Sequence, residues 1–175
     1  MHLNVEIKAK CHNPNKIREI LESKNAENKG LDNQIDTYFK VNFGRLKLRE
    51  GNIENYLIHY YRENKKDPKE SHVLLFKSDS KSNLKEILTT SLGILTIVNK
   101  KREIYFIGNV KFHIDDIINL GSFIEIEAID YEGNIGRDRL LEQCHYYLDL
   151  FNINREDLID VSYSDLLLNK ISKSY

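Results

Sequence analysis

The sequence of 175 residues has few of the residues that cross-link or punctuate a chain: two prolines, two cysteines, one methionine and no tryptophan. Two cysteines, Cys11 and Cys144, argue against a disulfide framework and favour a reducing compartment. Without a nearby pair of histidines they also make a poor zinc site. We therefore interpret both thiols as small buried side chains.

The sequence also lacks long apolar runs and an excess of charge of either sign. No uncharged stretch approaches the ~18 apolar residues that a membrane helix needs, and residues 1–10 have no signal-peptide core. We therefore expect a cytoplasmic protein without a membrane partner. The 26 Lys and Arg are balanced by 27 Asp and Glu, whereas a nucleic-acid coat protein carries a basic excess, so no nucleic acid is expected as a partner.

The length and the absence of repeats predict a single domain over residues 1–175, since one domain usually takes roughly 100–200 residues. Polar and apolar residues alternate along residues 2–11, where Val5 and Ile7 share one face and Glu6 and Lys8 the other, which predicts a strand. Similar patterns predict strands at 34–41, 45–50, 56–62, 72–78, 96–107, 110–114 and 123–131. Helical spacing predicts helices at 14–24, 82–92 and 136–151 and short helices within 155–170, with Ser162 or Ser164 as a cap.

The short connections between these strands favour antiparallel pairing, and eight such strands commonly close into a barrel. The apolar stripes of the helices need the apolar faces of the strands, which places the helices outside. The charged faces then point inward. We therefore predict an α+β fold, an eight-stranded antiparallel β-barrel with helices packed around it.

Charged residues recur on the predicted inward faces, with Arg45, Lys47 and Arg49 on one strand and Glu125 and Glu127 on another. For any single strand, a solvated charged face is the more common interpretation. In a closed barrel, however, two like charges about 7 Å apart repel by roughly 2 kcal/mol at an effective dielectric constant near 20. A bound polyanion or interleaved carboxylates would relieve that repulsion. The pattern therefore favours a tunnel for a metal ion and a triphosphate.

These residues resemble, in order and over nearly the whole chain, the motifs of the CYTH family, the triphosphate tunnel metalloenzymes that include class IV adenylyl cyclases and thiamine triphosphatases. The segments that carry the resemblance are NVEIK at 4–8, QIDTYF at 34–39, GRLKLR at 44–49, LIHYYR at 57–62, VNKKREIY at 98–105, VKFHID at 110–115 and LGSFIEIE at 120–127. The segment SYSDLL at 162–167 is similar to the cyclase-like bacterial branch.

The resemblance implies an eight-stranded barrel that binds a triphosphate substrate with Mg²⁺ or Mn²⁺. The carboxylates on the metal side would be Glu6, Glu125 and Glu127. The cations on the phosphate side would be Lys8, Lys10, Arg45, Lys47, Arg49, Arg62, Lys77, Lys100, Arg102 and Lys111, of which Lys10 and Lys77 could equally be solvated. The residues expected to take part in catalysis are Glu6, Lys8, Arg102, Lys111 and Asp115.

The roles of several other side chains remain open from the sequence alone. His113 could bind a nucleotide or pair with Asp115. Tyr38, Tyr60 and Tyr105 could stack on a base, although packing in the barrel wall is more common. Asn4 stands where the family usually has its first glutamate, so weaker metal binding, altered substrate preference or lost catalysis could follow.

Three functions follow from the resemblance. The first is an adenylyl cyclase, which converts ATP to cyclic AMP and pyrophosphate. The second is a triphosphatase acting on tripolyphosphate, thiamine triphosphate or a nucleotide. The third, which Asn4 favours, is a module that binds polyphosphate or a nucleotide without catalysis. The resemblance leaves a homodimer open.

Overall fold

The computed structural model describes residues 2–62 and 67–172. The strands are β1 (His2–Lys10), β2 (Glu27–Phe39), β3 (Arg45–Glu50), β4 (Tyr56–Arg62), β5 (Lys69–Lys77), β6 (Ile94–Ile107), β7 (Val110–Ile117) and β8 (Gly121–Asp130). The helices are α1 (Pro14–Ser23), α2 (Leu84–Leu92), α3 (Arg137–Leu150) and α4 (Tyr163–Ser172), with a 3₁₀ turn at Arg155–Asp157. No helix within the described residues is long and apolar enough to cross a membrane.

The eight strands form one closed barrel in the order β1-β5-β4-β3-β2-β6-β7-β8. Every neighbouring pair is antiparallel. Closure leaves no unpaired strand edge, which a sheet of this size would otherwise have to protect. The predicted α+β fold, an antiparallel barrel with helices outside, is confirmed.

The predicted element bounds are confirmed for β3 and β4, and the largest difference is in β2. This strand begins at Glu27 rather than at residue 34, and it pairs with β6 along almost its whole length. The first residues of β2 show little apolar alternation, and a register shift between Asn28 and Gly30 interrupts them. Pairing with β6 extends the strand there without a signal in the local sequence.

The outer face of the barrel packs against α1 and α3. Val5 of β1 and Phe112 of β7 are completely buried beneath Leu140 of α3 and Leu21 of α1. Phe112 also meets the ring of Tyr147 edge-on, with the ring centres 4.7 Å apart. These contacts make the wall formed by β1, β7 and β8 the main hydrophobic core.

The two cysteines differ in burial. Cys144 of α3 is fully buried, as predicted, and burial raises the pKa of its thiol to about 12. Cys11 is only partly buried, so the prediction of a buried thiol is wrong there. Cys11 lies just beyond the end of β1 and packs, partly buried, against the main hydrophobic core. Neither cysteine forms a disulfide.

Helix α4 begins beside one end of the barrel. The Ser162 side chain accepts a hydrogen bond from the Asp165 backbone N–H at 3.1 Å, which caps the helix as predicted for Ser162. Tyr163 is buried, and its ring packs edge-on against Phe123 at 5.1 Å between ring centres. The cap and this aromatic contact hold the start of α4 against the inner wall.

Candidate functional site

The inward faces of the strands enclose a cavity of about 300 Å³. Because side chains alternate along a strand, the same eight strands that bury apolar groups outside present polar groups here. Most of the sequence-predicted site residues line this cavity, namely Glu6, Lys8, Lys47, Arg49, Arg62, Lys100, Arg102, Lys111, His113, Glu125 and Glu127.

The remaining predicted residues lie at the margins. Asp115 is completely buried behind Arg102. Arg45 donates to Asp165 at 2.9 Å near the start of α4. Lys10 and Lys77 occupy the ends of their strands, are exposed, and are not among the residues that line the cavity.

Asp36 of β2 is the centre of the first group of ion pairs. Its carboxylate accepts from Arg49 at 2.9 and 3.1 Å, from Lys47 at 2.9 Å and from Lys100 at 2.7 Å. Burial alone raises the pKa of Asp36, but the cations Arg49, Lys100 and Lys47 outweigh burial and hold the pKa well below its usual value. One ionised carboxylate thus gathers three cations on one side of the cavity.

A second group surrounds Arg102 of β6. Its guanidinium donates two hydrogen bonds to Asp115, both 2.6 Å long, and a third to Glu125 at 2.9 Å. The hydroxyl of Tyr163 also donates to Asp115 at 2.8 Å. Asp115 therefore orients Arg102 from behind, and we regard it as a positioning residue.

Glu125 connects this group to Lys8 and His113. Lys8 lies 3.3 Å from Glu125, and His113 Nδ1 lies 3.1 Å from the other carboxylate oxygen. The alternative that His113 pairs with Asp115 is wrong, because the ring contacts Glu125, its neighbour across β7 and β8.

His113 is a neutral ring that presents an acceptor to the cavity. Burial first, and then Arg102 and Lys111, lower its pKa to about 3. Because Glu125 accepts from Nδ1, the proton belongs on that nitrogen, and Nε2 carries a lone pair. Nε2 is buried, and it has no hydrogen-bond partner among the described residues. A donor on a bound ligand would satisfy it.

The carboxylates predicted to bind metal differ in their contacts. Glu6 forms an ion pair with Arg62, and Glu127 accepts from the side-chain N–H of Asn4. Among residues 2–62 and 67–172, no three His, Cys, Asp or Glu side chains come close enough together to hold a metal ion.

The chemistry of the donor set nevertheless fits Mg²⁺ or Mn²⁺, which prefer oxygen ligands. Glu6 and Glu127 are paired across β1 and β8, and both line the cavity. The side-chain oxygen of Asn4, beside them, is buried, and nothing in residues 2–62 and 67–172 hydrogen-bonds to it. A phosphate chain that engaged Arg62, Lys8 and Arg102 would free the carboxylates that those cations now hold.

The structure adds residues that sequence reasoning did not assign to the site. Glu54, in the β3–β4 connection, contacts Arg49 and Lys111, and Tyr163 lies beneath Lys8, whose Nζ is 4.0 Å from the ring centre. Asp36 is a third such residue. It lies within the segment QIDTYF and alternates with outward-facing residues of its strand, so its inward position could have been inferred from the sequence. No periodic pattern in the sequence marks Glu54 or Tyr163, because both lie outside the strands.

The aromatic residues divide between the two faces. Tyr38 and Tyr60 line the cavity, as do Tyr56 and Tyr131. Tyr105 instead packs in the outer core, where its hydroxyl donates to Glu103 at 3.0 Å. Base stacking therefore has candidates in the cavity, but Tyr105 is not one of them.

Comparison with known proteins shows which family this chain matches. The CYTH domain matches residues 2–155. A Methanocaldococcus jannaschii protein named as a candidate adenylate cyclase is 27% identical over 173 residues, which cover 94% of this chain and 98% of the relative. Its similarity therefore extends beyond the matched domain to the C-terminal helix.

Two solved structures share the fold at lower identity. The PH1012 protein of Pyrococcus horikoshii superposes with a TM-score of 0.79 at 22% identity, covering 95% of this chain and 99% of the other. HpAC1 from Hippeastrum is described as a candidate adenylyl cyclase with a dominant triphosphatase activity. It superposes with a TM-score of 0.59 at 13% identity, covering 98% and 96% of the two chains.

Proposed function

This chain belongs to the CYTH family, and on that premise we propose that it converts ATP to cyclic AMP and pyrophosphate inside the barrel, with Mg²⁺ or Mn²⁺ as cofactor. The observation that carries the proposal is the set of seven cations that line one cavity: Lys8, Lys47, Arg49, Arg62, Lys100, Arg102 and Lys111. The cavity carboxylates pair with these cations in the absence of substrate, and a polyanion can take over the same contacts, because phosphate and carboxylate oxygens accept from guanidinium and ammonium groups alike.

The arginines and the lysines of the cavity would bind the substrate in different ways. Arg49 and Arg102 carry planar forks that match phosphate oxygens, and Lys47 and Lys100 supply point charges beside them. Because Asp36 and Asp115 already orient both arginines, the two guanidinium groups themselves need little reorganisation when a phosphate arrives. We assign these residues to the β and γ phosphates, which they would hold while the α phosphate reacts.

In the cyclase reaction the 3′-hydroxyl oxygen of the ribose forms a bond to the α phosphorus. The bond from that phosphorus to the bridging oxygen of pyrophosphate breaks, and the hydroxyl proton leaves to solvent. Mg²⁺ or Mn²⁺, held by Glu6, Glu125 and Glu127, would lower the proton affinity of the hydroxyl and offset charge on the phosphate. Lys8 of β1 and Lys111 of β7, on the two strands that flank β8, would stabilise the remaining negative charge.

An organic group has a place in the same cavity. The cavity is also lined by aromatic and aliphatic side chains, namely Tyr56, Ile58, Leu75, Ile129 and Tyr131. Aromatic and aliphatic side chains of this kind suit a nucleoside. The neutral His113, whose Nε2 accepts, suits a hydroxyl or amino group of that nucleoside. These features favour ATP over bare tripolyphosphate.

A triphosphatase is the second candidate. The same cations would hold the substrate while water attacks the γ phosphorus and orthophosphate leaves. The Hippeastrum structure, whose protein is described as having a dominant triphosphatase activity, shares this fold and favours that candidate.

Product analysis tests the proposal. The purified protein is incubated with ATP, thiamine triphosphate and tripolyphosphate, each with Mg²⁺ or Mn²⁺, and the products are separated. Cyclic AMP with an equal amount of pyrophosphate is the expected result from ATP. Orthophosphate in place of cyclic AMP would establish the triphosphatase, and binding without turnover would establish a non-catalytic module.

An Arg102→Lys variant sharpens the test because it keeps the charge and loses the fork. We expect its turnover to fall about tenfold or more, since one lysine cannot contact Asp115 and a phosphate with the same geometry. Lys101→Gln, at the exposed neighbouring position of β6, is the control and should retain full activity.

A further inference from the structure

Glu54 is a carboxylate of the cavity that no strand carries. It lies in the short connection between β3 and β4, yet its side chain is only 13% exposed and lines the cavity. One carboxylate oxygen accepts from Arg49 at 2.7 Å and from Gln34 at 3.1 Å. The other oxygen accepts from Lys111.

These contacts extend across the interior of the barrel. Arg49 belongs to β3 and Lys111 to β7, and the strand order places β2 and β6 between them. Glu54 therefore joins two walls that do not pair with each other. Arg49, Lys111 and His113 outweigh the effect of burial and hold the pKa of Glu54 far below its usual value, so the carboxylate is ionised at neutral pH.

The main chain holds Glu54 in this place. The completely buried carboxylate of Asp32 accepts from the backbone N–H groups of Ile53 and Glu54, at 2.9 and 3.0 Å. Gly51 permits the close approach, because a Cβ at that position would lie 2.5 Å from an oxygen of Asp32. The connection is thus built to direct one carboxylate into the cavity.

Other carboxylates of the cavity have a different role. Asp36 and Asp115 project from strands, are at most 1% exposed, and each receives two hydrogen bonds from one arginine. They lie behind the cations and leave the inner side of those cations open to a ligand. Glu54 lies between two cations instead, in the kind of place that a phosphate takes.

We propose that Glu54 is an internal competitor for substrate phosphate: its carboxylate occupies the position between Arg49 and Lys111, and a phosphate of the bound triphosphate exchanges with it. Carboxylate and phosphate oxygens accept from guanidinium and ammonium groups in the same way. Both cations therefore stay paired in the absence of substrate. The exchange lowers the net affinity for the triphosphate and, in the same way, helps the pyrophosphate product to leave.

Binding of inorganic tripolyphosphate without metal tests the proposal. Calorimetric titrations in EDTA compare the wild type with Glu54→Gln, in which the amide has no negative charge to compete with phosphate. We expect Glu54→Gln to bind tripolyphosphate about tenfold more tightly or better, given the strength of a charge interaction at this depth. Equal or weaker binding by a folded Glu54→Gln would overturn the proposal.

Two further variants keep the test interpretable. Glu54→Asp retains the charge on a shorter side chain that cannot span both cations, so a smaller gain is expected, and it provides the comparison where Glu54→Gln fails to fold. Glu103→Gln removes a carboxylate outside the barrel, where Glu103 pairs with Arg18 at 2.6 Å. The affinity of this variant for tripolyphosphate should change less than about twofold, because Glu103 projects from the outer face of β6, away from the cavity.

The proposal rests on the proposed function, because the triphosphate must enter this cavity. If the wild type binds no tripolyphosphate, both fail. If the wild type binds it and Lys47→Gln weakens binding, but Glu54→Gln gives no gain, only the role of Glu54 fails. A Mn²⁺ titration with tripolyphosphate present separates a third outcome: a large loss of Mn²⁺ affinity in Glu54→Gln would make Glu54 a metal ligand and overturn the proposal.

Discussion

The two faces of β8 show how differently the outer and inner walls of this barrel are made. Ile124 and Ile126 point outward and are 1% exposed, packed in the main hydrophobic core. Glu125 and Glu127 alternate with them and line the cavity. One strand thus contributes both to an apolar wall and to an ionised one, with a change of environment at every residue.

The two walls differ in what they contribute: the outer wall stabilises the fold, and the inner wall carries the proposed function. The outer wall gains free energy as apolar surface leaves water, at roughly 25 cal/mol per Å². The inner wall gains little free energy on folding, or loses some, because removing charged groups from water costs about as much free energy as their pairing returns. We therefore attribute its charges to the proposed triphosphate ligand rather than to the stability of the fold.

The largest effect on this comparison should come from the outer wall. Phe112→Ala removes a completely buried ring beneath Tyr147 and Phe151. We expect the free energy of unfolding to fall by about 4 kcal/mol, through lost burial and the cavity left behind. Urea denaturation measures it. Ile97→Ala, at an outward residue that is 42% exposed, should cost less than about 1 kcal/mol. Equal losses of unfolding free energy in the two variants would contradict the claim that the buried part of the outer wall stabilises the fold.

Asp36→Asn should give the next largest loss of stability, about 3 kcal/mol at neutral pH, because it leaves Arg49, Lys47 and Lys100 without their shared counter-ion. The pKa of Asp36 is lower in the folded protein than in the unfolded chain. Its contribution is therefore present above about pH 4, the unfolded value, and is lost as the pH falls further.

Urea denaturation from pH 7 to pH 3 checks this sign. The difference between wild type and Asp36→Asn should be constant above about pH 5 and shrink below about pH 4. A difference that grows as the pH falls would contradict the assignment of an ionised Asp36.

Lys47→Gln should separate binding from stability. Lys47 is 12% exposed, and Asp36 keeps its contacts with Arg49 and Lys100 when Lys47 is replaced. We expect tripolyphosphate affinity to fall about tenfold, the value of one charge-assisted contact. The free energy of unfolding should change by less than about 1 kcal/mol, because the neutral glutamine leaves no buried charge unpaired. Calorimetry and urea denaturation on the same preparation test both, with Lys101→Gln as the exposed control.

The smallest effect concerns Asn4, which places an uncharged oxygen beside Glu127. Asn4→Glu should raise Mn²⁺ affinity about threefold in the presence of tripolyphosphate, because a carboxylate binds a divalent ion better than an amide oxygen does. Titration followed by the electron paramagnetic resonance of Mn²⁺ measures it. Asn99→Glu, at an exposed position of β6, is the matched control. No difference between the two variants would remove Asn4 from the metal site.

The barrel could be predicted because alternation and turn residues are local signals. The Asn42–Gly44 turn is an example: Gly44 has φ +67°, and a Cβ there would lie 2.8 Å from the Tyr60 carbonyl oxygen. The start of β2 could not be predicted, because residues 27–33 are held in the sheet by pairing with β6 and contain only one apolar side chain, Leu31.

The sequence predicts which residues of the site face inward, but it does not predict which of them contact one another. Alternation identified Arg102 and Glu125 as inward-facing, and the family resemblance suggested what they bind. Their contacts depend on which strands meet across the barrel, and sequence spacing does not report that. His113 was therefore open to pairing with Asp115, and Glu54, on a connection without periodicity, was not identified.

The central claim is that the ionised inner wall binds the triphosphate. A crystal structure of the protein with Mn²⁺ and an ATP analogue that cannot be cleaved tests it most directly. We predict the phosphate chain inside the barrel, in contact with Lys47, Arg49 and Arg102, with Glu54 displaced from Lys111. An analogue bound on the outer surface, with the inner ion pairs unchanged, would contradict the account.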